Sequence, residues 1–412
     1  MRHGGQVTFA LRTLTADDLE AVSGVLEYAF GGPPFAEQSE DRDVEFGVVD
    51  PARFYAAYDG AEPVVTGGSF GFQMTVPGRR LPVAGVTWVG VLPSHRRRGL
   101  LTALMQRMLT DLHEAGEAVA ALWASQGAIY QRFGYGPASW HASLTVPSRA
   151  AFTVPVQATG LRLVTPTADC LQAAYDAAAA TRGGWFDRDE AWWAFRLHDP
   201  ASRRSGASAL RCVVADGVGG VAGYALYRTK PSWGGSGPSG EVQVRELVAA
   251  DPAVRAQLWR YLLDIDLMST VSAPMGPVDE PLLHLLAEPR SASPVLSDNL
   301  WVRLVDVPAA LAGRCYASEV DVVLEVTDDT CPWNAGRFRL TGGPAGATCT
   351  ATTDQPELRV RAADLGAAYL GGTSLLARAG AGHVVELRAG ALAEASLAFG
   401  WTGPSAYCPI VF

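Results

Sequence analysis

The stretch Val86 to Met108, VTWVGVLPSHRRRGLLTALMQRM, gathers the residues best suited to grip an anion. An apolar, β-branched run ends at Pro93-Ser94. His95, Arg96, Arg97, Arg98 and Gly99 then lead into an amphipathic helix pattern. The first-turn N–H groups of a helix have no partners within it and point at whatever lies above them. Gly99 lets the backbone approach such an anion closely, and the arginines add charge-assisted hydrogen bonds to phosphate. The pattern predicts a diphosphate-bearing cofactor docked on a helix start. A solvated basic run is the bland alternative, and the position at a strand-to-helix junction rather than in a tail weighs against it. This segment contains neither G-x-x-x-x-G-K-[ST] nor G-x-G-x-x-G.

The flanking pattern supplies the elements that must position this loop. Leu19, Val22, Val25 and Leu26 have helical spacing behind a Thr15-Ala16-Asp17-Asp18 start. A polar stretch runs from Gly31 to about Glu45. Phe54 to Asp59 and Val64 to Val76 read as strands joined by the turn at Gly60 to Pro63, and Val83 to Val91 as the strand feeding the arginines. Beyond it, Leu100, Leu101, Leu104, Met105, Met108, Leu109 and Leu112 share one helix face. A buried strand over 118–124 and a short helix over 128–133 complete the unit. This is predicted as residues 1–150.

Residues 151–300 read as a faded copy. A hairpin surrounds Asp216-Gly217, a strand spans Glu241 to Val248, and a helix starts at Asp251-Pro252. Overlaying the two strand-loop-helix patterns brings Ala256 near the position of Gly99 and leaves only Arg255 of the arginines. Trp185, Trp192 and Trp193 read as helix-packing residues. Residues 301–412 form a third unit, in which Trp301 to Val305, Val322 to Val326, Arg337 to Leu340 and Glu357 to Val360 alternate like strands. Gly234 to Gly240 reads as a hairpin tip.

The chain of 412 residues exceeds one ordinary core, so two or three domains are expected. Hydrophobic content of 48% against 18% charged excludes a disordered chain. A net charge of −9 argues against a nucleic-acid partner, since the one dense basic run is assigned to a loop. The cysteines, at 170, 212, 315, 331, 349 and 408, form no C-x-x-C pair and no zinc spacing. They read as buried apolar residues of a reducing cytoplasm, with no metal expected. The N-terminus has no signal-peptide core, and no apolar run approaches the ~18 residues of a membrane span. A cytoplasmic location follows as the expectation, and the Ala, Gly and Arg richness suggests a high-GC bacterial source.

Arg96-Arg97-Arg98-Gly99-Leu100-Leu101 resembles motif A of the GCN5-related N-acetyltransferases, Q/R-x-x-G-x-G/A, which holds the pyrophosphate of acetyl-CoA. Leu101 departs from its last position. Acetyl transfer to an amine needs an acceptor for the amine proton, a donor for the departing thiolate and an N–H group near the carbonyl oxygen. Val89, Gly90 and Val91 end the strand that splays from its neighbour in that family, and Gly90 lies where a small residue leaves room. Tyr130 and Tyr135 are both candidate acids, because a phenol near pKa ~10 stays protonated at neutral pH, and spacing alone does not separate them. Together, HRRRGLL (His95 to Leu101) and ASQGAIYQRFGYGPA (Ala124 to Ala138) resemble the enhanced intracellular survival (Eis) family. The resemblance runs along the whole chain. It implies an α+β (mixed α/β) fold: tandem acetyltransferase (GNAT) domains over 1–150 and 151–300, then a sterol-carrier-like α+β domain over 301–412.

That resemblance makes Tyr130 the general acid and the terminal carboxylate of Phe412 the general base. Cofactor contacts carry onto Val89, Gly90, Val91, Arg97, Arg98, Gly99, Leu100, Leu101, Thr102, Ser125 and Gln126. Val411 leaves no acidic side chain beside the terminus, and Glu37 and Glu40 are the nearby candidates. The implied activity is acetyl-CoA-dependent transfer to primary amines, aminoglycosides or polyamines among them, by direct attack. The implied assembly is a homohexamer. A CoA-sensing, lipid-binding protein without transferase activity and a lysine acetyltransferase of a partner protein stand as alternatives.

Overall fold

In the computed structural model the chain is described over residues 10–31, 39–235 and 237–412, with no side chains described for 32–41. Glu37 and the side chain of Glu40 therefore lie outside the described residues. Among the described residues no helix is long and apolar enough to cross a membrane.

The first unit runs β1 (Arg12–Thr13), α1 (Leu19–Phe30), α2 (Ser39–Gly47), β2 (Phe54–Asp59), β3 (Glu62–Val76), β4 (Arg79–Val91), α3 (Leu100–Glu114), β5 (Val119–Trp123), α4 (Gly127–Gln131) and β6 (Gly136–Pro137). Before α1, the Thr15 N–H and hydroxyl both donate to the Asp18 carboxylate at 2.8 Å, which fixes the entry of the chain. α3 buries Leu100, Leu104, Met105, Met108, Leu109 and Leu112 against one sheet face. Leu101, expected on that stripe, is half-buried and turns toward a cleft.

The second unit runs β7 (Trp140–Pro147), β8 (Leu161–Val164), α5 (Ala168–Ala179), α6 (Glu190–Leu197), β9 (Arg211–Gly217), β10 (Gly220–Lys230), the small hairpin β11 (Trp233–Gly234) and β12 (Gly237–Pro238), β13 (Gly240–Ala249), α7 (Pro252–Leu263), β14 (Met268–Pro277), α8 (Leu282–Leu285) and β15 (Val295–Asp298). β16 (Leu300–Leu304) follows. The third unit holds α9 (Val307–Ala312), β17 (Val320–Thr327), β18 (Gly336–Gly343), β19 (Gly346–Ala351), β20 (Leu358–Arg361), α10 (Ala362–Ala368), α11 (Leu375–Gly380), β21 (Val385–Glu386) and α12 (Ala391–Phe399). Its sheet, ordered β19-β18-β17-β20-β21, packs Val322, Leu324, Phe338 and Leu340 against Leu365, Tyr369 and Phe399.

The sheets do not follow the linear order of the chain. β16, read from the sequence as the first strand of the third unit, pairs with β5 and β6 in the first sheet, ordered β1-β2-β3-β4-β5-β16-β6. β7 lies in the second, ordered β15-β7-β14-β13-β10-β9-β8. The physical reason is one antiparallel ribbon, residues 136–147 against 295–304, that crosses from sheet to sheet. At the crossing the Ser139 hydroxyl donates to Asn299 Oδ1 at 2.8 Å, and the Asn299 N–H donates to the Ser139 carbonyl at 3.0 Å. Both residues are buried.

The second copy differs from the overlay expected for it. α7 starts at Asp251 and Pro252, so Asp251, not Ala256, occupies the place of Gly99. The Asp251 carboxylate accepts the Ala253 N–H at 2.8 Å and Pro252 has no N–H, so this helix start repels anions. Trp192 packs on Phe70 and Phe72, while Trp185 and Trp193 pack on Tyr175. All six cysteines are free; Cys170 is only half-buried, because it lies on the outer side of α5.

Candidate active site

β4 carries a bulge just before the arginine loop. Thr66 pairs with Gly90 and Gly68 with Thr87, so Trp88 and Val89 together face Gly67. Trp88 has φ +55°, an unusual conformation for a bulky residue, held by its ring contacts with Phe54 and Phe46. The bulge shifts the register of β4 on β3 just before Gly90, which pairs with Thr66, and Val91, which pairs with Val65. Gly90 has a further reason to be small: a Cβ there would lie 3.1 Å from Ala29 and 3.3 Å from Leu26, so the glycine admits α1.

Next comes the turn. Arg96 is extended, Arg97 has φ +62° and Gly99 has φ +81°. Gly99 precedes α3 without any side-chain cap, and the first helical bond is Ala103 N–H to the Gly99 carbonyl at 3.0 Å. The N–H groups of Leu100, Leu101 and Thr102 thus have no acceptor within the helix, and the left-handed residues shape a concave nest that favours an anion. Among the described residues no hydrogen-bond or ion-pair partner is found for the guanidinium of Arg97 or Arg98, whereas Arg96 donates to the Val91 carbonyl at 3.3 Å.

A cleft of about 650 Å³ opens above this turn, within the usual range for cofactor sites. One wall is Val89–Val91, His95–Arg97 and Gly99–Thr102, and the other is Ser125, Gln126, Ile129, Tyr130 and Arg132, with Ala29 and Phe30 of α1 at the edge. Every cofactor contact expected from the sequence lies on these walls except Arg98, which is exposed and does not line the cleft. His95 and Arg96, part of the basic run read from the sequence, also line it, whereas Arg132, Ile129, Ala29 and Phe30 were not expected. Arg132 had a signal, since it lies two residues after Tyr130 in the same short turn. Phe30 had none, because its place depends on how α1 packs across Gly90.

The structure separates the two tyrosines. Tyr130 is 5% exposed, reaches the cleft, and has its pKa raised by desolvation, against which a hydrogen bond with Ser125 works. Tyr135 is fully buried off the cleft, its ring 6.1 Å from that of Tyr130. Its hydroxyl has no hydrogen-bond partner among the described residues.

On the opposite sheet face lies the C-terminus. β4 and β5 pair only at Ala84–Ala120 and Gly85–Ala121, then part. Both strands at this fork hold the end of the chain. Trp123 Nε1 donates to the Ile410 carbonyl at 2.6 Å, and a Cβ on Gly85 would come within 3.1 Å of the Phe412 ring. That ring packs against Phe72 and Phe186 with centroids 5.3 and 5.4 Å apart. Upstream, Asn299 clamps Cys408 twice, accepting its N–H at 2.8 Å and donating to its carbonyl at 3.1 Å. The residue that ties the two sheets together therefore also aims the terminus at the fork. Phe412 does not line the 650 Å³ cleft; it approaches the fork from the other side.

Residues 10–138 match an acetyltransferase (GNAT) domain, residues 184–304 a second acetyltransferase (GNAT) domain, and residues 307–409 a sterol carrier protein domain. An uncharacterised N-acetyltransferase of Streptomyces avermitilis is 46% identical over 95% of this chain and 97% of its own length. N-acetyltransferase Eis of Mycobacterium bovis is 37% identical over 73% of each chain. The crystal structure of Eis1 from Mycobacterium abscessus aligns with a TM-score of 0.84 at 33% identity, covering 98% of this chain and 100% of that one.

Proposed function

Since the chain belongs to the Eis family of GCN5-related N-acetyltransferases, we propose that it moves an acetyl group from acetyl-CoA to a primary amine by direct attack across the β4–β5 fork. The observation that carries this is the single cleft that joins the uncapped start of α3, the bulged end of β4 and Tyr130. Leu100 to Thr102 and Arg97 hold the diphosphate. The N–H groups at Val89 to Val91 line the thioester arm and receive the carbonyl oxygen as it gains charge.

The acceptor nitrogen attacks the carbonyl carbon, a C–N bond forms, and the C–S bond breaks. Tyr130 gives its proton to the departing thiolate, and burial keeps that phenol protonated for the task. The Phe412 carboxylate takes the proton from nitrogen. A free α-carboxyl has a pKa of ~3.5 and an alkylammonium ~10, so this transfer follows attack, when the nitrogen has become far more acidic. The apolar ring packing of Phe412 fixes the carboxylate at the fork and keeps the terminus from fraying.

The test is CoA release and acetyl-product mass with a panel of polyamines, aminoglycosides and lysine-containing peptides. Transfer to at least one amine, with turnover lost in Tyr130→Phe while CoA still binds, supports the proposal. Tight CoA binding without transfer to any amine rejects it.

A further inference from the structure

The second sheet repeats the fork of the first. β13 and β14 pair in parallel from Gly240–Met268 to Gln243–Ser272 and then diverge. A cavity of about 360 Å³ opens where they part, lined by residues 244–247 of β13, 273–277 of β14 and the C-terminal segment 409–411. The Tyr407 hydroxyl donates to the Met275 carbonyl at 3.0 Å and pins that segment in place. Across the cavity stands α6, which sends Trp192 onto Phe70 and Phe72 and Arg196 into the cavity wall. Phe412 packs on the same Phe70 and Phe72. The residue before the terminal one, Val411, thus lines the cavity, while Phe412 itself does not.

Its charge is unusual. Six arginines line it, at 182, 196, 203, 228, 245 and 255, against two acids, Glu246 and Glu280. Arg255 is held by Glu280, Arg228 by Asp199, Arg203 by Glu45, and Arg182 by Asp279 at 2.7 Å. Glu246 already serves Arg188 at 2.6 Å and Arg196 at 3.4 Å. Arg245, whose side chain is exposed to solvent, is left over: among the described residues no acceptor pairs with its guanidinium. It is also the extra residue of a β-bulge, since Leu226 pairs with Glu246 and Tyr227 with Val244. Bulges re-aim side chains, and this one sets Arg245 beside Arg196 and Arg228. Desolvation, then the charges of those two arginines, lower its pKa. The buried Nε of Arg228 also lacks a hydrogen-bond partner among the described residues, while that of Arg196 meets Glu246 only at 3.4 Å.

Resting on the acetyltransferase reading, we propose that this cavity binds an oxyanion of the acceptor, a carboxylate or a phosphate, with Arg245 as its direct partner. The acceptor is then an amine that also carries an acidic group, not a polycation. A guanidinium fork matches either oxyanion in bidentate fashion, and the anion relieves the repulsion among three arginines. The amine end of such a molecule extends past Val411 to the fork at Phe412.

Matched acceptors test this in the full-length chain. Lysine is compared with cadaverine, and phosphoethanolamine with ethanolamine, by initial rates of CoA release. The expected result is that kcat/KM favours the anion-bearing member of one pair by about tenfold or more, and that pair identifies carboxylate or phosphate. Arg245→Gln lowers that preference about tenfold, through KM. No preference in either pair, or a preference that Arg245→Gln leaves intact, overturns the proposal. A second readout separates it from the catalytic reading: succinate and inorganic pyrophosphate are titrated into the CoA-saturated protein and followed by tryptophan fluorescence, since Trp185 and Trp259 line the cavity. Saturable quenching by at least one probe, lost in Arg245→Gln, is expected; no quenching overturns the anion site. Arg245-dependent binding without transfer to any amine overturns the transferase reading and with it the acceptor assignment.

Discussion

Adding a single glycine after Phe412 isolates the terminal carboxylate from everything else the terminus does. The Phe412 ring keeps its contacts with Phe72 and Phe186, and the Trp123–Ile410 hydrogen bond is untouched. The carboxylate, however, moves by about 3.5 Å. A general base works only within about 2.6–3.2 Å of its proton or through one water, so the shift removes it. Positioned proton transfer contributes about 10²–10⁴ in rate, or about 3–5 kcal/mol at 1.36 kcal/mol per decade. We therefore expect kcat to fall at least a hundredfold with a good amine acceptor. The cleft proposed for CoA lies on the opposite sheet face, so the Kd for CoA, measured by calorimetry, stays within about twofold. The melting temperature stays near that of the parent chain. Phe412→Leu keeps a terminal carboxylate but loses the ring, and it separates positioning from chemistry by a smaller loss of rate and a lower melting temperature. Full activity in the glycine-extended chain refutes the carboxylate as base.

Four further outcomes are expected. Tyr130→Phe lowers kcat by about 10²–10⁴ with CoA affinity retained, whereas Tyr135→Phe, which removes a hydroxyl with no partner among the described residues, leaves the unfolding free energy equal or slightly higher in denaturant titration. Gly99→Val forces a β-branched residue into φ +81°, at a cost of about 1–3 kcal/mol, and calorimetry shows CoA affinity falling about tenfold or more. Asn299→Ala leaves the buried N–H and carbonyl of Cys408 unpaired, at about 1–3 kcal/mol for each; urea unfolding shows the loss, and kcat falls as the terminus loosens. Glu246 loses solvation on burial, yet Arg188 and Arg196 hold its carboxyl down at about 2. Its folded value lies below the unfolded one near ~4.5, so its contribution is complete above that value and fades as pH falls toward 2. Acid titration followed by circular dichroism shows that loss, and Glu246→Gln flattens it.

The local pattern of the chain was legible because burial repeats along it. The amphipathic stripe of α3, the strands β2 to β5 and the helix start at Asp251-Pro252 all appear where apolar spacing and turn residues put them. Features set by contacts between distant segments were not legible. Nothing local says that 136–147 and 295–304 form one ribbon across two sheets, because the deciding partners, Ser139 and Asn299, lie 160 positions apart. The left-handed Trp88 leaves no mark in an alternating apolar run. Gly90 was read as leaving room where it now lines the cleft, and its neighbours add a second reason that no local pattern shows, the close approach of α1. The arginine run marked the turn beneath the cleft but not which guanidinium lines it: Arg97 does, Arg98 does not, and Arg132 arrives from another element. The arginines of the second cavity are spread from 182 to 255 and are gathered only by the fold.

The central claim is that the turn from Arg97 to Thr102 holds the diphosphate of coenzyme A. A crystal structure of the full chain with CoA tests it most directly. Pyrophosphate oxygens within hydrogen-bond distance of the Leu100, Leu101 and Thr102 N–H groups, with the sulfur directed between β4 and β5 toward Tyr130, is the expected result. CoA held elsewhere, or no CoA above this turn at saturating concentration, contradicts it.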